Sequence, residues 1–185
     1  LSAMEKPDWP EKEPGSIRHL ILETDGSISE SIARISVSTH GPMPVQQMNR
    51  LAFSLHEATG AAIYGDALPK RNAGLYAHPK LVVGDEEMRH CAASQRFRVS
   101  PKSWWSQSPS SVDAMHQSVR ELAALTQEDQ VLEIGCGVGT LGNLVGDRVA
   151  HWLGVDRERS AVMDAQYNCS DKGTHYEFFV GDGEH

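Results

Sequence analysis

The sequence predicts an α/β fold in which a parallel sheet follows a smaller α+β unit. From about residue 109 onward, strand and helix patterns alternate as β-α-β-α-β, and this alternation implies parallel strands joined by right-handed crossovers. A glycine-rich loop joins the first of these strands to its helix. The preceding stretch combines short strands with one amphipathic helix. Because open sheets of this kind have more strands than the three found here, the prediction is the N-terminal half of a Rossmann-like sheet.

Length and charge limit the possible classes of protein. The chain has 185 residues with 39% hydrophobic composition, which is enough for one sizeable domain or two small ones. Its net charge is −8, and this acidity argues against a broad nucleic-acid-binding face, because phosphate contacts need clustered Lys and Arg. A local basic groove stays possible.

The cysteines and the apolar pattern bear on the cellular compartment. There are three cysteines, an odd number without a C-x-x-C pair, so neither a disulfide framework nor a cysteine-type zinc site is predicted. We therefore expect a reducing, cytoplasmic environment. No apolar run approaches the roughly 18 residues of a membrane span, and the first residues lack the apolar core of a signal peptide.

The first part of the chain predicts a tail and a small domain. Residues 1–15 are rich in proline and charge and are interpreted as a tail or linker. Residues 16–98 are predicted to form the small α+β domain. A helix with Val45, Met48, Ala52 and Leu55 on one face should end at Gly60. Strands are predicted at 18–23, 32–38, 61–64, 80–84 and 95–100, and the second of these should be half-buried because polar and apolar residues alternate along it.

Residues 99–185 are predicted to form the Rossmann-like domain. Its first helix should begin at Pro109 after a Ser108 cap and end near Thr126. The apolar face expected for this helix consists of Val112, Met115, Val119, Leu122 and Leu125. Strands follow at 130–135, 151–156 and 176–182, with helices between them at 138–146 and 157–171.

The loop "EIGCGVGTLG", Glu133 to Gly142, predicts a cofactor site. In this fold class a nucleotide-like ligand binds at the first strand-to-helix turn. Glycines allow the backbone to approach the ligand, and the next helix presents free N–H groups. Two cofactors fit the pattern: a dinucleotide through G-x-G-x-x-G, or S-adenosylmethionine (SAM) through acid-x-G-x-G-x-G.

Three features favour SAM. Glu133 suits a cationic ligand better than a pyrophosphate. An amphipathic helix precedes the first strand, as is usual in methyltransferases, and Asp182 ends the third strand, where methyltransferases often contact the adenine amino group. Asp156, at the end of the second strand, can accept bonds from ribose hydroxyls but fits both cofactors equally. Gly142 is expected to serve helix packing only.

With these stretches in view, the chain resembles the uracil-5 RNA methyltransferases of tRNA and ribosomal RNA, a family of class I SAM-dependent methyltransferases. "SIRHLILE" resembles the strand that opens the family's central domain, and "RFRVSPKSWWSQSPSSVDAM" resembles its "F-x-V-x-x-x-S-F-F-Q-x-N-P" segment. "VLEIGCGVGTLGNL" and "GVDRERSAVMDAQYN" resemble its glycine loop and second helix. The resemblance spans about residues 16–185 and implies a SAM cofactor and an RNA substrate.

The resemblance also implies site residues and departures from the family pattern. The family's cofactor-contacting glutamine matches Ser106 without a gap, or Gln107 with a shift of one residue. The family usually has Asp where Glu133 stands, an aromatic residue where Gly135 stands and Glu where Asp156 stands. The predicted cofactor-binding residues are Gln107, Glu133, Gly135, Gly137, Gly139, Thr140, Asp156 and Asp182.

No catalytic residue is predicted in this chain. The family uses a cysteine that adds to uracil C6 and a base that removes the C5 proton, in "S-C-N-P" and "D-P-P-R" loops beyond the third strand, which this sequence does not contain. Cys91, Cys136 and Cys169 are interpreted as structural. We therefore expect a fragment or truncated member, inactive alone. A SAM-binding protein without catalysis and an NAD(P)-dependent enzyme remain as alternatives.

Other candidate sites have weaker support. The nine histidines show no ligand-like spacing apart from the adjacent His90 and Cys91, so no metal site is predicted. Trp104 and Trp105 can stack a flipped base, although packing is the favoured interpretation. Arg96, Arg98, Lys102 and the segment "PKRNAG" are candidate phosphate contacts, with a solvated surface favoured. No membrane partner is expected.

Overall fold

A computed structural model describes residues 14–24, 32–68, 80–85, 89–105, 109–172 and 175–183. It forms two compact units. The first contains four strands and one helix, and the second contains the elements from residue 85 onward. Among the described residues, no helix combines the length and apolar character needed to cross a bilayer. The α/β prediction is confirmed.

The first unit is a four-stranded sheet with one helix against it. Its elements are β1 (Ile17–Thr24), β2 (Ile32–His40), α1 (Val45–Thr59), β3 (Ala62–Leu68) and β4 (Lys80–Val83). The strand order is β1-β2-β3-β4, with β2 parallel to β3 and β3 antiparallel to β4. As predicted, α1 ends at Gly60, whose N–H donates to the His56 carbonyl and whose left-handed φ of 70° turns the chain out of the helix.

The core of the first unit lies between the sheet and α1. Ile35, Val37, Ala52 and Ile63 are almost completely buried. Val45, the first residue of α1, is 73% exposed. One expectation was wrong here: β2 is buried on both faces along its described part and is not half-buried.

The polar face of β2 is buried because its charge has a partner. The Arg34 guanidinium is 1% exposed and donates two hydrogen bonds to the Glu23 carboxylate, from Nε at 2.6 Å and from Nη2 at 2.7 Å. A bidentate pair of this kind satisfies both groups and allows an arginine to leave solvent.

The second unit is a three-stranded parallel sheet with helices and a hairpin. Its elements are β5 (Arg89–Ala92), β6 (Gln95–Arg98), α2 (Pro109–Ala123), β7 (Gln130–Ile134), α3 (Thr140–Val145), β8 (His151–Asp156), α4 (Arg159–Asn168) and β9 (His175–Val180). The sheet order is β7-β8-β9, and both pairings are parallel. The predicted Ser108 cap lies outside the described residues.

One face of this sheet carries the core of the second unit. Val145, Trp152, Val162, Ala165 and Phe178 are buried together there. On the opposite face, Leu132, Ile134 and Phe179 are 61%, 64% and 50% exposed. On α2, Val112 is buried as predicted, whereas Met115 and Leu122 are 50% and 85% exposed, so the helix buries a narrower stripe than its sequence suggests.

The hairpin β5–β6 belongs to the second unit, whereas the sequence predicts a domain boundary at residue 98, after this hairpin. The Asn168 side chain of α4 accepts from Arg98 N at 2.8 Å and donates to Arg98 O at 3.0 Å. Phe97 and Val99 are buried with Val112 of α2. These contacts depend on residues far along the chain, and β5 itself was not predicted.

Candidate cofactor site

The glycine loop lies at the carboxyl end of the parallel sheet, between β7 and α3. The N–H groups of Gly135 and Cys136 both donate to the Val155 carbonyl of β8, at 2.7 and 3.1 Å. A further turn closes where Gly139 N donates to Cys136 O at 3.0 Å. The loop is therefore fixed by backbone hydrogen bonds to the neighbouring strand.

Gly135 and Gly137 leave the surface of this loop open. Both have positive φ, 79° and 53°, and a Cβ built on either would meet nothing within 4 Å. Residues with a Cβ rarely adopt this backbone conformation, and the absence of side chains exposes the peptide groups. This part of the loop can receive a ligand in direct contact with the backbone.

Gly139 and Gly142 are glycines for a different reason. A Cβ at Gly139 would lie 2.9 Å from the Ala165 Cβ of α4, and one at Gly142 would lie 3.0 Å from Trp152 Nε1. Packing against these neighbours leaves no room for a side chain at either position. The structure shows the packing role expected for Gly142. Gly139 was predicted to bind cofactor, but the position that its side chain would occupy is against α4.

Asp156 ends β8 and connects it to the glycine loop. Its Oδ2 accepts from Gly137 N at 2.8 Å, and its Oδ1 accepts from Glu158 N at 2.9 Å. Each carboxylate oxygen has a second lone pair, so the group can still accept from a ligand. The sequence had assigned Asp156 to the ligand alone, and its bond to the loop was missed.

Glu133 lies on β7 with its carboxylate largely removed from solvent. Burial raises its pKa from the usual 4.5 to about 7; the Trp152 hydrogen bond opposes this shift, and the negative charge of Asp156 adds to it. Trp152 Nε1 donates to Glu133 Oε2 at 3.1 Å. Two acidic groups in one place favour a cation.

Trp152 is a residue of the site that the sequence analysis missed. It is 1% exposed and contacts both the Gly142 position and the Glu133 carboxylate. The available signal was its place in the buried strand "HWLGVD", where an indole N–H needs an acceptor.

Of the remaining predicted residues, Thr140 and Asp182 lie among the described residues and Gln107 does not. Thr140 is the first residue of α3 and follows the open part of the loop. Asp182 is exposed and follows Gly181, whose N–H donates to the Asp156 carbonyl at 2.9 Å. Asp182 is thus at the same end of the sheet as Asp156. Gln107, with Ser106, lies outside the described residues.

The cysteines of the second unit include two buried thiols. Cys136 and Cys169 are 4% and 3% exposed, and burial, as the largest cause, raises the pKa of each to about 12. A thiol that ionises so reluctantly is a weak nucleophile near neutral pH. Cys91 is partly exposed on β5.

Some of the aromatic and basic candidates near the hairpin are engaged within the protein, and others are exposed. Trp105 packs in the core, with its ring 5.1 Å from His90 and 5.5 Å from Phe97, whereas Trp104 is 78% exposed. Arg98 forms an ion pair with Asp164 at 3.1 Å, so it is engaged within the protein. Arg96 and Lys102 are exposed, and "PKRNAG" lies outside the described residues.

A comparison with protein-family models decides the class of protein. A model described as protein-L-isoaspartate(D-aspartate) O-methyltransferase (PCMT) matches residues 86–185. The chain belongs to this family. The match begins where the second unit begins, at Asp85, and it includes the glycine loop and all three parallel strands. It confirms the predicted methyltransferase class and, with it, SAM as the cofactor.

Curated relatives cover more of this chain. An uncharacterized RNA methyltransferase from Halalkalibacterium halodurans is 25% identical over 178 residues, 94% of this chain and 38% of the relative. Another, from Enterococcus faecalis, is 24% identical over 157 residues, 83% of this chain and 34% of the relative. The chain therefore spans little more than a third of the length of these relatives.

A solved structure shares the fold. The tRNA (uracil-54, C5)-methyltransferase of Pyrococcus abyssi, solved with S-adenosyl-L-homocysteine, is similar with a TM-score of 0.68 and 20% identity. The similarity covers 90% of this chain and 39% of that one. It extends through both units and supports the predicted Rossmann-like sheet with its preceding α+β unit.

Proposed function

We propose that this chain is the cofactor-binding part of an RNA methyltransferase that transfers the methyl group of SAM to C5 of a uridine in tRNA or ribosomal RNA. The observation that supports the cofactor role is the open loop at Gly135 and Gly137, bordered by Glu133 and Asp156. The names of the curated relatives, uncharacterized RNA methyltransferases, support RNA as the substrate.

The site residues would hold the cofactor in distinct ways. The loop backbone at Gly135 and Gly137 would contact the ligand directly, and Asp156 would accept from the ribose hydroxyls. Glu133 would balance the positive charge of the methyl donor. Asp182 would contact the adenine, and Thr140 and Gln107 complete the proposed set. SAM supplies an electrophilic methyl group when bound; these residues bind and orient it.

The acceptor chemistry would come from other parts of the parent protein. Uracil C5 is a poor nucleophile, and a cysteine thiolate adding to C6 would activate it. Cys136 and Cys169 are unsuited to this step because burial keeps them protonated. The proposal therefore places the nucleophile and the general base outside this chain.

A second acceptor is favoured by one observation. The matching family is described as acting on L-isoaspartate and D-aspartate of proteins, so a carboxyl group is the competing methyl acceptor. A SAM-binding protein without catalysis is the third possibility.

The experiment supplies the purified parent protein with methyl-labelled SAM and offers two acceptors, an unmodified tRNA and ribosomal RNA mixture and an isoaspartyl peptide. We expect label in RNA only, recovered as 5-methyluridine after nuclease digestion. Label in the peptide alone would overturn the proposal in favour of carboxyl methylation, and label in a different nucleoside would overturn the C5 assignment. Calorimetry with SAM and with NAD tests the cofactor separately; NAD binding without SAM binding would contradict it.

A further inference from the structure

A cluster of two histidines and one glutamate lies at the amino ends of β8 and β9. The parallel register places His151 directly opposite His175. Glu177 is two residues beyond His175 on the same strand, and residues i and i+2 of a strand share a face. The three side chains therefore meet on one face of the sheet, although His151 and His175 are far apart in sequence.

The donor atoms of this cluster are already close together. His151 Nε2 lies 3.2 Å from Glu177 Oε1, and His175 Nε2 lies 3.1 Å from the same oxygen. One ligand atom from each residue falls within 4.8 Å of the other two. The two imidazole rings stack with centroids 4.9 Å apart and planes at 22°, so both Nε2 atoms are directed toward the same carboxylate.

We propose that His151, His175 and Glu177 form a binding site for a divalent transition metal ion, with Zn²⁺ as the reference ion. Zinc is bound by imidazole nitrogen and carboxylate oxygen at about 2.0–2.2 Å in tetrahedral geometry, which separates neighbouring donors by about 3.3 Å. Two of the three separations in the cluster match this value. Three protein ligands leave one position for water or an external ligand.

The side chains can adjust to an ion without moving the backbone. The His175 and Glu177 side chains are 70% and 41% exposed, whereas that of His151 is 26% exposed. His151 is thus held by its neighbours, and the two more exposed ligands can rotate toward it. Soft and borderline ions that favour imidazole suit this set, while Mg²⁺, which prefers oxygen ligands, does not.

The site is separate from the cofactor loop and independent of the proposed function. His151 begins β8 and Asp156 ends it, so the two sites lie at opposite ends of the strand, about 16 Å apart at 3.3 Å per residue. An ion here would connect β8 to β9 at the edge of the sheet. Its effect would be on the stability of the second unit.

Spacing along the chain alone predicts no metal site here. The ligands combine an H-x-E pattern on one strand with a histidine on the neighbouring strand. Their proximity is set by strand register, which spacing does not reveal. Within the described residues, His151, His175 and Glu177 are the group of three whose possible ligand atoms lie within 4.8 Å of one another.

The test is titration of the protein with ZnCl₂ at pH 7.5 by calorimetry, comparing wild type with His151→Ala, His175→Ala and Glu177→Gln. We expect one saturable zinc equivalent in wild type, at least tenfold weaker binding in each histidine variant, and no binding of MgCl₂. His40→Ala, in the first unit, is the matched control and should bind like wild type.

A spectroscopic measurement makes the result specific. With Co²⁺ in place of Zn²⁺, visible absorption bands of low-symmetry coordination should appear in wild type and be lost in His175→Ala. Circular dichroism checks folding; since His175 is exposed and Glu177 partly exposed, their variants decide the question if His151→Ala does not fold. Zinc binding unchanged in His175→Ala and Glu177→Gln, or no saturable uptake by wild type, would overturn the proposal and leave the cluster as a hydrogen-bond network.

Discussion

Glu133 shows how a single residue can be costly for folding and useful for binding. Its carboxylate is removed from water, faces the negative charge of Asp156, and has a pKa raised to about 7. A carboxyl group with a raised pKa resists ionisation in the folded state. Ionisation therefore opposes folding, and a cationic ligand offsets that penalty.

The substitution Glu133→Gln should increase stability above neutral pH. Because the folded-state pKa is raised from 4.5 to about 7, wild-type stability should fall as pH rises between these values and level off above them. The variant lacks this loss, so its free energy of unfolding should exceed that of wild type by on the order of 3 kcal/mol at pH 8 and match it near pH 4.5. Urea denaturation across this range measures the difference; equal stability at pH 8 would contradict the burial of this charge.

The same substitution should weaken SAM binding. We expect wild-type affinity to rise with pH up to about 7 as Glu133 ionises, and the variant to bind more weakly with little pH dependence. Calorimetry in two buffers of different ionisation enthalpy would report the proton released by wild type. A variant that is both more stable and less able to bind would show a trade-off between stability and function.

Gly137 should be sensitive to substitution through binding, not only through folding. Gly137→Ala places a Cβ where the loop is open, at a φ of 53°, and should cost about 1–2 kcal/mol of stability together with at least tenfold in SAM affinity. Gly60→Ala is the matched control, since its φ is 70° and its Cβ also meets nothing within 4 Å. It should cost similar stability and leave SAM affinity unchanged. Equal affinities in both variants would show that the ligand does not contact Gly137.

At the scale of single residues, the sequence predicts the acidic residues of the site but not the groups that donate hydrogen bonds to them. Glu133 and Asp156 were predicted because they lie in or at the end of strands that lead into the site. The bonds from Trp152 to Glu133 and from Gly137 to Asp156 depend on the register of β7 against β8. Register is set by tertiary packing, which a single sequence does not display.

At the scale of elements, α4 is the helix that organises the second unit. Its Asp164 is 0% exposed and accepts from Ser100 N at 2.7 Å, Ser100 Oγ at 2.8 Å and Ser103 Oγ at 2.7 Å. Arg98 completes the group with an ion pair at 3.1 Å. This carboxylate attaches the segment after β6 to the helix beside the glycine loop.

Asp164→Ala should therefore be strongly destabilising. It leaves two hydroxyl groups, one N–H and the Arg98 charge without their acceptor, and breaking a buried charged network of this kind costs about 3–5 kcal/mol. Urea denaturation gives the change. Asp171→Ala, at an exposed position, should stay within about 0.5 kcal/mol of wild type. A loss below about 1 kcal/mol in Asp164→Ala would contradict the role of this network.

The helices also show which sequence signals were reliable. Val162, Ala165 and Cys169 follow helical spacing along α4, and all three are buried. Val45 and Leu122 were predicted to lie on the apolar faces of their helices and are exposed, and each lies near a helix end. Periodicity identifies the face of a helix, but not how far along the helix that face is covered.

At the scale of the whole molecule, the two units have separate cores. Ile35, Val37 and Ile63 belong to the first, and the residues around Trp152 belong to the second. The sequence predicts two parts with a boundary at residue 98, after the hairpin. The hairpin joins the second unit through Asn168 and Asp164, which follow it by more than 60 positions.

Core substitutions in the two units should have different effects on binding. Ile63→Ala, at a position 0% exposed, should cost about 2–5 kcal/mol and reduce amide protection in the first unit while SAM affinity stays unchanged. Val145→Ala, equally buried in the second unit, should reduce both amide protection in the second unit and SAM affinity. Hydrogen exchange and calorimetry measure the two properties. A large fall in SAM affinity in Ile63→Ala would contradict separate roles.

The hydrogen bond between Gly137 and Asp156 should also affect the kinetics of SAM binding. The Asp156 carboxylate accepts a hydrogen bond from the Gly137 N–H of the loop. The Val155 carbonyl accepts from two further loop amides. A loop fixed in advance has little conformational search to complete when a ligand arrives. We therefore expect SAM association to follow a single concentration-dependent step, with the rate set by encounter and the lifetime of the complex set by how many loop contacts must break together.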